Sequence, residues 1–334
     1  MDDGKVYNYT DPLDLAAGII MILNGIIGIM CNASVIYIFW RAPVERTSFN
    51  LICVFRGVCN IVILAWAFLA TFVPITFIGK SPYSMFYETL VIGCVNSIYA
   101  VIQNTGILIA VNRLCAVFYP FGYQKIFKIK YTFLMTLVIV VWKAFVVIQE
   151  FFFYLPRECW MYFSSKDLAW TLSFGEICFE DNQENINKTA IYLGIMVIAN
   201  LATFSKIYFF YKSSYMIQQR KDGKMRKNRV MFLQTLVQDA IMLIDMLFTF
   251  QLSSLSEERY WTFISGTLIW QTVHSLDGFI MILFNERLTF IKKSFFSSSA
   301  TPSMPNSKVF HVSTTPATHL NQMNSSRSQR STRT

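Results

Sequence analysis

The sequence predicts an all-α membrane protein: a seven-transmembrane helix bundle, N-terminus outside, with an amphipathic surface helix and a disordered cytoplasmic tail. Three observations lead there. Composition comes first, because 54% of residues are hydrophobic, 31 are Phe and only 15% are charged, too apolar a balance for a soluble fold. Length comes second. Seven apolar runs, near 15–39, 49–73, 88–113, 131–154, 190–211, 230–252 and 261–284, each reach the roughly 20 helical residues that cross about 30 Å of hydrocarbon. Charge placement comes third. Of the 29 Lys and Arg residues, 21 flank the odd-numbered connections or lie in the tail, against 6 on the opposite side. Basic residues mark the cytoplasmic side, so the N-terminus is outside and the tail inside.

The last two runs are the weakest, interrupted by Gln238, Asp239, Asp245, Gln271, His274 and Asp277. Parity supports both: were only one to cross, the basic tail would lie outside, against the charge rule. The sequons Asn8-Tyr9-Thr10 and Asn187-Lys188-Thr189 both fall outside, where glycosylation occurs. The domain reading is an extracellular segment 1–14, a seven-helix bundle 15–284, a surface helix 285–296 and a tail 297–334. Phe284, Leu288, Ile291 and Phe295 form an apolar stripe beside Lys292 and Lys293, which suits a helix lying on membrane lipid. Ser and Thr make up 16 of the 38 tail residues, and no acid occurs there, a composition that does not fold.

Several function classes are excluded. The net charge of +9 sits at helix ends, as topology requires, so no nucleic-acid partner is implied. The chain has no nucleophile elbow, phosphate loop, dinucleotide fingerprint or zinc pair, and its seven cysteines include no Cys-x-x-Cys. We therefore expect no enzyme, no metal and no cofactor. The first apolar run stands behind an acidic segment, so no cleavable signal peptide is expected.

Polar residues inside the spans are candidate sites, because they are costly there. Arg113, preceded by Asn112 and followed by Pro120 and Tyr123, ends the third span and is expected where a helix meets the cytoplasm. Arg56 and Asn60 lie one helical turn apart. An unpaired Arg56 or Asp277 would cost about 2.5–3.5 kcal/mol each, so we expect them to pair, with Asn32 and Asn60 hydrogen-bonding nearby and Asp239 as the rival partner. Asn96, Tyr99 and Gln103 share one helix face. With Asp245, Trp270, Gln271 and His274 they read either as polar glue between helices or as a small-molecule cavity in the outer half. In a cavity, Asp245 would select cationic or hydrogen-bond-donating ligands. Cys159 and Cys178 lie in the long outer loop, an oxidising setting in which a disulfide is expected.

Seven spans with Asn112-Arg113 closing the third resemble a rhodopsin-like G-protein-coupled receptor. Asn32-Ala33-Ser34-Val35 resembles that family's first-helix Asn-x-x-Val, and Asn50 and Asn60 keep its second-helix spacing. Asp277-Gly278-Phe279-Ile280-Met281 stands where Asn-Pro-x-x-Tyr is usual. Finer texture is similar to the nematode class-X serpentine receptors (Srx), chemosensory by family. It lies in Asn112-Arg113-Leu114-Cys115-Ala116-Val117-Phe118-Tyr119-Pro120, in Glu158-Cys159 with Cys178, and in the stretch from His274 to Glu286.

The resemblance implies a small-molecule ligand, a plasma-membrane location and a heterotrimeric G protein. The G protein would contact Arg113, Asn112, Pro120, Tyr123 and the basic face of Lys224, Arg226, Lys227 and Arg229. Receptor kinase and arrestin are implied at the tail. The wider family ties the outer loop to a cysteine at the top of the third helix. Here that level is near Glu88, with Cys94 deeper, so Cys159–Cys178 is favoured over Cys94–Cys178. The chain also departs from the family pattern. Asn112 replaces the usual acid and the basic end of the sixth span offers none, so Arg113 is expected to be loosely restrained. Asn60 replaces an aspartate, which argues against a sodium site. The rival readings are a peptide or transmitter receptor of the same fold, and a seven-helix ligand-gated channel, whose N-terminus would lie inside.

Overall fold

The apolar runs become helices longer than the hydrocarbon alone requires. The computed structural model describes residues 11–173, 176–213 and 222–284, all within a unit spanning Met1–Phe290; the second unit, Ile291–Thr334, lies outside the described residues. We label the long helices α1 (Pro12–Arg41), α2 (Ser48–Ile78), α3 (Met85–Phe118), α4 (Ile129–Tyr154), α5 (Glu176–Ser213), α6 (Asp222–Leu247) and α7 (Arg259–Phe284). Among the described residues, α1, α2, α3, α4 and α7 are each long and apolar enough to cross a membrane. The other two carry more polar sequence: α5 has a shorter apolar stretch, Ala190–Lys206, and α6 opens on basic residues.

Helix ends follow local chemistry. Asp11 accepts from the Leu13 amide at the start of α1, Thr47 caps α2 and Ser84 caps α3, each satisfying an otherwise orphaned N–H. α2 stops at Gly79, whose φ of 74° is left-handed. Proline at the start of a helix loses nothing, and Pro120 opens a short helix, Pro120–Ile126, directly after α3. Inside α2, Pro74 has no N–H to offer the carbonyl one turn earlier. The Tyr83 hydroxyl donates to that Ala70 carbonyl at 2.7 Å, and the preceding stretch Ile63–Phe72 widens to π-helix.

The bundle is apolar outside and polar within. α4 exposes Leu134, Val138, Val141, Trp142 and Phe145 and buries only Thr132 and Thr136, as a helix facing lipid does. The interior holds Asn32, Arg56, Asn60, Arg113, Asp239, Asp245, His274 and Asp277, all buried. α1 packs on α7 and α2, while α3 packs on α4 and α5. The α1–α7 seam uses small residues: a Cβ on Gly28 would fall 2.8 Å from Ser275 Cα, and one on Gly278 2.7 Å from Asn32 N. Such close approach lets polar groups meet across helices. Asn32 thus donates to the His274 carbonyl at 3.1 Å.

One end is plugged by an antiparallel hairpin, β1 (Met161–Ser164) and β2 (Ala169–Leu172). Phe163 stacks on Phe72 at 4.4 Å between ring centroids, and its amide donates to Glu88 at 2.9 Å. Thr267 donates to the Leu168 carbonyl at 2.6 Å. Arg259 then ties hairpin to bundle, donating to the Ser165 and Lys166 carbonyls at 2.6 Å, to Asp11 at 2.5 Å and to Asp14. Two expectations change here. α5 begins at Glu176, well before residue 190, because its first turns are polar and extend past any hydrocarbon. Lys206, counted by the sequence with the inner loop, lies within α5 with its ammonium over the Phe118 ring at 5.4 Å.

Candidate functional site

α1, α2, α6 and α7 converge on one carboxylate. Asp277 Oδ1 accepts from Arg56 Nη2 at 2.8 Å and from Gln238 Nε2 at 2.7 Å, and Oδ2 accepts from Asn60 Nδ2 at 2.8 Å. A buried ion pair is tolerable only when its remaining polar valences are filled, and three donors from two neighbouring helices fill those of Asp277. Asn60 Nδ2 also donates to Asn32 Oδ1 at 3.2 Å. With both amide hydrogens committed, Asn60 Oδ1 is an acceptor, so His274 Nδ1, 2.9 Å away, must donate to it. His274 Nε2 is buried and has no hydrogen-bond partner.

The rival acid is placed elsewhere: Asp239 accepts from Asn200 of α5 rather than from Arg56. Arg56 keeps Nε and Nη1 without hydrogen-bond partners. Its Nη1 lies on the Gly106 side, where a Cβ would also meet Met196 Sδ at 2.7 Å. Gln238 and Asn200 were not singled out from the sequence. Spacing offered a signal for the first: Gln238, Met242 and Asp245 share one face of α6.

Toward the opposite end from the hairpin, Arg113 is 6% exposed. Its guanidinium is folded inward, 4.6 Å above the Phe49 ring, where a cation–π contact offsets part of its desolvation. Nε and Nη2 have no hydrogen-bond partner. Asn112 turns away from Arg113 toward Ser48 Oγ, at 3.5 Å, and Tyr123, whose hydroxyl lies 3.0 Å from Ser48 Oγ. Pro120 is exposed and Tyr123 half-buried. The side chains of Lys224, Arg226, Lys227 and Arg229 lie outside the described residues.

The outer candidate set divides. Tyr99 donates to Asp245 Oδ2 at 2.7 Å and sits edge-on to His274, 5.7 Å between rings. Tyr99 and Gln103 line a small pocket with Tyr192, Leu193, Met196, Met242 and Met246. Asp245 is buried behind Tyr99, and its Oδ1 has no hydrogen-bond partner. Trp270 packs instead into an aromatic cluster with Phe68 and Phe72. Gln271 points to α1, donating to the Met21 carbonyl at 2.7 Å, and leaves the set. Asn96 is half-buried, and no pocket-lining role falls to it. The methionines were not anticipated, since thioethers on apolar faces look like ordinary core.

Cys159 is disulfide-bonded, while Cys94 is a free thiol; the side chain of Cys178 lies outside the described residues. Asn187 is exposed on α5, and Asn8 lies outside the described residues, as do the surface helix and the tail. Among the described residues no cluster of His, Cys, Asp or Glu could hold a metal.

Seven packed helices with an apolar exterior and an ion-paired core define a multi-pass serpentine membrane receptor. The serpentine type 7TM GPCR chemoreceptor Srx family matches residues 22–285, and the chain belongs to that family, whose members are receptors and not enzymes. It is similar to "Serpentine receptor class X 45" of Caenorhabditis elegans, 24% identical over 302 residues, covering 82% of this chain and 80% of that protein.

Proposed function

We propose that this protein is a chemosensory G-protein-coupled receptor of the plasma membrane. It takes a small ligand in the pocket between α3, α5 and α6 and signals through the Arg113 end. The observation that carries this reading is Arg113 itself. A guanidinium buried with two N–H groups unpartnered is under-satisfied by a few kcal/mol at most, and it lies where the charge count places the cytoplasm. Movement of α6 would free it for carbonyl or carboxylate acceptors of a heterotrimeric G protein. The basic residues Lys224, Arg226, Lys227 and Arg229 would widen the same face, and the Ser/Thr-rich tail would serve kinase and arrestin.

A small ligand is favoured over a peptide because the hairpin fills the outer end of the bundle, leaving no wide mouth. A channel is disfavoured because its N-terminus would lie inside, whereas the placement of basic residues puts this one outside. The domain reading of 1–14, 15–284, 285–296 and 297–334 is retained, with glycans on Asn8 and Asn187 and Cys178 as the partner of Cys159. A G-protein reporter assay tests the reading: an agonist response should disappear in Arg113→Ala at unchanged surface level. A response that survives both that substitution and G-protein blockade would favour the channel.

A further inference from the structure

The inner end of α4 carries a cluster of lysines that the coupling reading does not use. From Thr89 to Gln149 the chain holds no Asp or Glu, yet Lys125, Lys128 and Lys130 fall within six residues. All three are exposed, and among the described residues none of them pairs with an acid. They are held in place by the residues between them. Phe127 is 6% exposed and stacks on Tyr123 at 5.5 Å between ring centroids, and the Tyr123 hydroxyl lies 3.0 Å from Ser48 Oγ of α2. Lys128 is the N-cap residue of α4 and its side chain makes no cap, so the first-turn amides have no side-chain acceptor. Beyond the lysines, α4 turns an apolar stripe outward. Lys130, Leu134, Val138 and Val141 follow i, i+4, i+8, i+11 spacing and so share one face. The last three are each more than half exposed. At 1.5 Å per residue the stripe is roughly 16 Å long. That is half of the roughly 30 Å hydrocarbon core, the depth of one leaflet.

We infer that this face is a binding site for an anionic phospholipid of the inner leaflet. Its acidic headgroup lies against Lys125, Lys128 and Lys130, and an acyl chain runs along Leu134, Val138 and Val141. The charge count puts this end of α4 at the cytoplasmic leaflet, which carries the acidic lipids. An acidic protein segment would match the lysines but would leave the apolar stripe, at hydrocarbon depth, unused. A zwitterionic lipid would match the stripe but brings no net charge to the acid-free cluster. Each lysine close to an anionic headgroup strengthens binding about fivefold, so the cluster selects by charge. Lys125 belongs to the short helix Pro120–Ile126, which also carries Tyr123, and the bound lipid therefore braces the loop that packs on α2.

The test reconstitutes the full-length receptor in nanodiscs of phosphatidylcholine and phosphatidylserine in equal amounts. The receptor is then extracted into mild detergent, and mass spectrometry identifies the lipid that stays bound. Phosphatidylserine should be retained in excess of its share, and added salt should erode the excess, because screening acts on exposed charge. Lys130→Gln should cut the preference about fivefold, and Lys125→Gln, Lys128→Gln and Lys130→Gln together should abolish it. Lys125→Arg, Lys128→Arg and Lys130→Arg together keep the charge and should keep the preference. Lys80→Gln with Lys166→Gln, on the outer side, should leave it unchanged. Excess inorganic phosphate should not displace the lipid, since it has no acyl chain; displacement would show a bare anion site and overturn the lipid assignment. No preference for phosphatidylserine, or a preference that survives the triple Gln substitution, would also overturn it. A surviving preference together with lost nucleotide exchange would give the lysines to the G protein instead.

Discussion

Arg56→Met keeps side-chain length and removes one charge from the core of the bundle. Arg56 is 2% exposed and Asp277 6%, so both are effectively out of solvent. After the substitution Asp277 retains Gln238 and Asn60 as donors but loses its only counter-charge. Breaking a buried pair in this way costs about 3–5 kcal/mol. Asp277→Asn should cost a similar amount, because Arg56 already carries two unpartnered nitrogens. The double substitution removes both charges and leaves an amide among amides, so we expect about 2–3 kcal/mol of the summed loss to be recovered. The exchange Arg56→Glu with Asp277→Arg should rescue only in part: Asn60, locked as a donor by Asn32 and His274, would face a guanidinium. Arg56→Glu with Asp239→Arg should not rescue at all. Surface abundance and thermal unfolding of the detergent-solubilised receptor report all of these. Strictly additive losses, or single substitutions costing under about 1 kcal/mol, would refute the coupled core.

Two further outcomes follow from the geometry. Asn112→Asp adds a negative charge next in the chain to Arg113, and should lower unliganded signalling several-fold if the side chain swings from Ser48 and Tyr123 to the guanidinium, corresponding to about 1 kcal/mol for a partly screened pair. Unchanged basal signal in the reporter assay would count against a loosely held Arg113. Gly28→Ala drives a Cβ to 2.8 Å from the Ser275 backbone, and overpacking of this kind costs about 1–3 kcal/mol. Gly194→Ala, with nothing within 4 Å, should leave the melting temperature where it was; equal shifts would argue against a tight α1–α7 seam.

The helices were legible because hydrocarbon-length apolar runs have few other solutions, and the charge count oriented them. Polar helix beyond the hydrocarbon was not, which is why residues 176–189 read as loop. The hairpin was hidden because its strands are four residues each and lie inside a connection. Its trace is the polar Ser164-Ser165-Lys166-Asp167 run between short segments holding Tyr162, Phe163 and Trp170. The sequence favoured Asp277 over Asp239 as the partner of Arg56, and helix rotation in the structure turns Asp277 to the guanidinium and Asp239 to Asn200. Rotation also explains Gln271. Gln271, Ser275 and Gly278 lie on one stripe of α7, against Gly25, Gly28 and Asn32 of α1, and that match of small and polar residues was readable from spacing. The inward fold of Arg113 was not readable, because it depends on Phe49 of another helix.

If a ligand-dependent signal leaves the bundle through Arg113, removing the guanidinium should separate binding from signalling. The most direct measurement is agonist-stimulated nucleotide exchange on a purified G protein, comparing wild-type receptor with Arg113→Ala at matched ligand occupancy. The variant should bind ligand as wild type does and lose stimulated exchange. Stimulated exchange equal to wild type would contradict it.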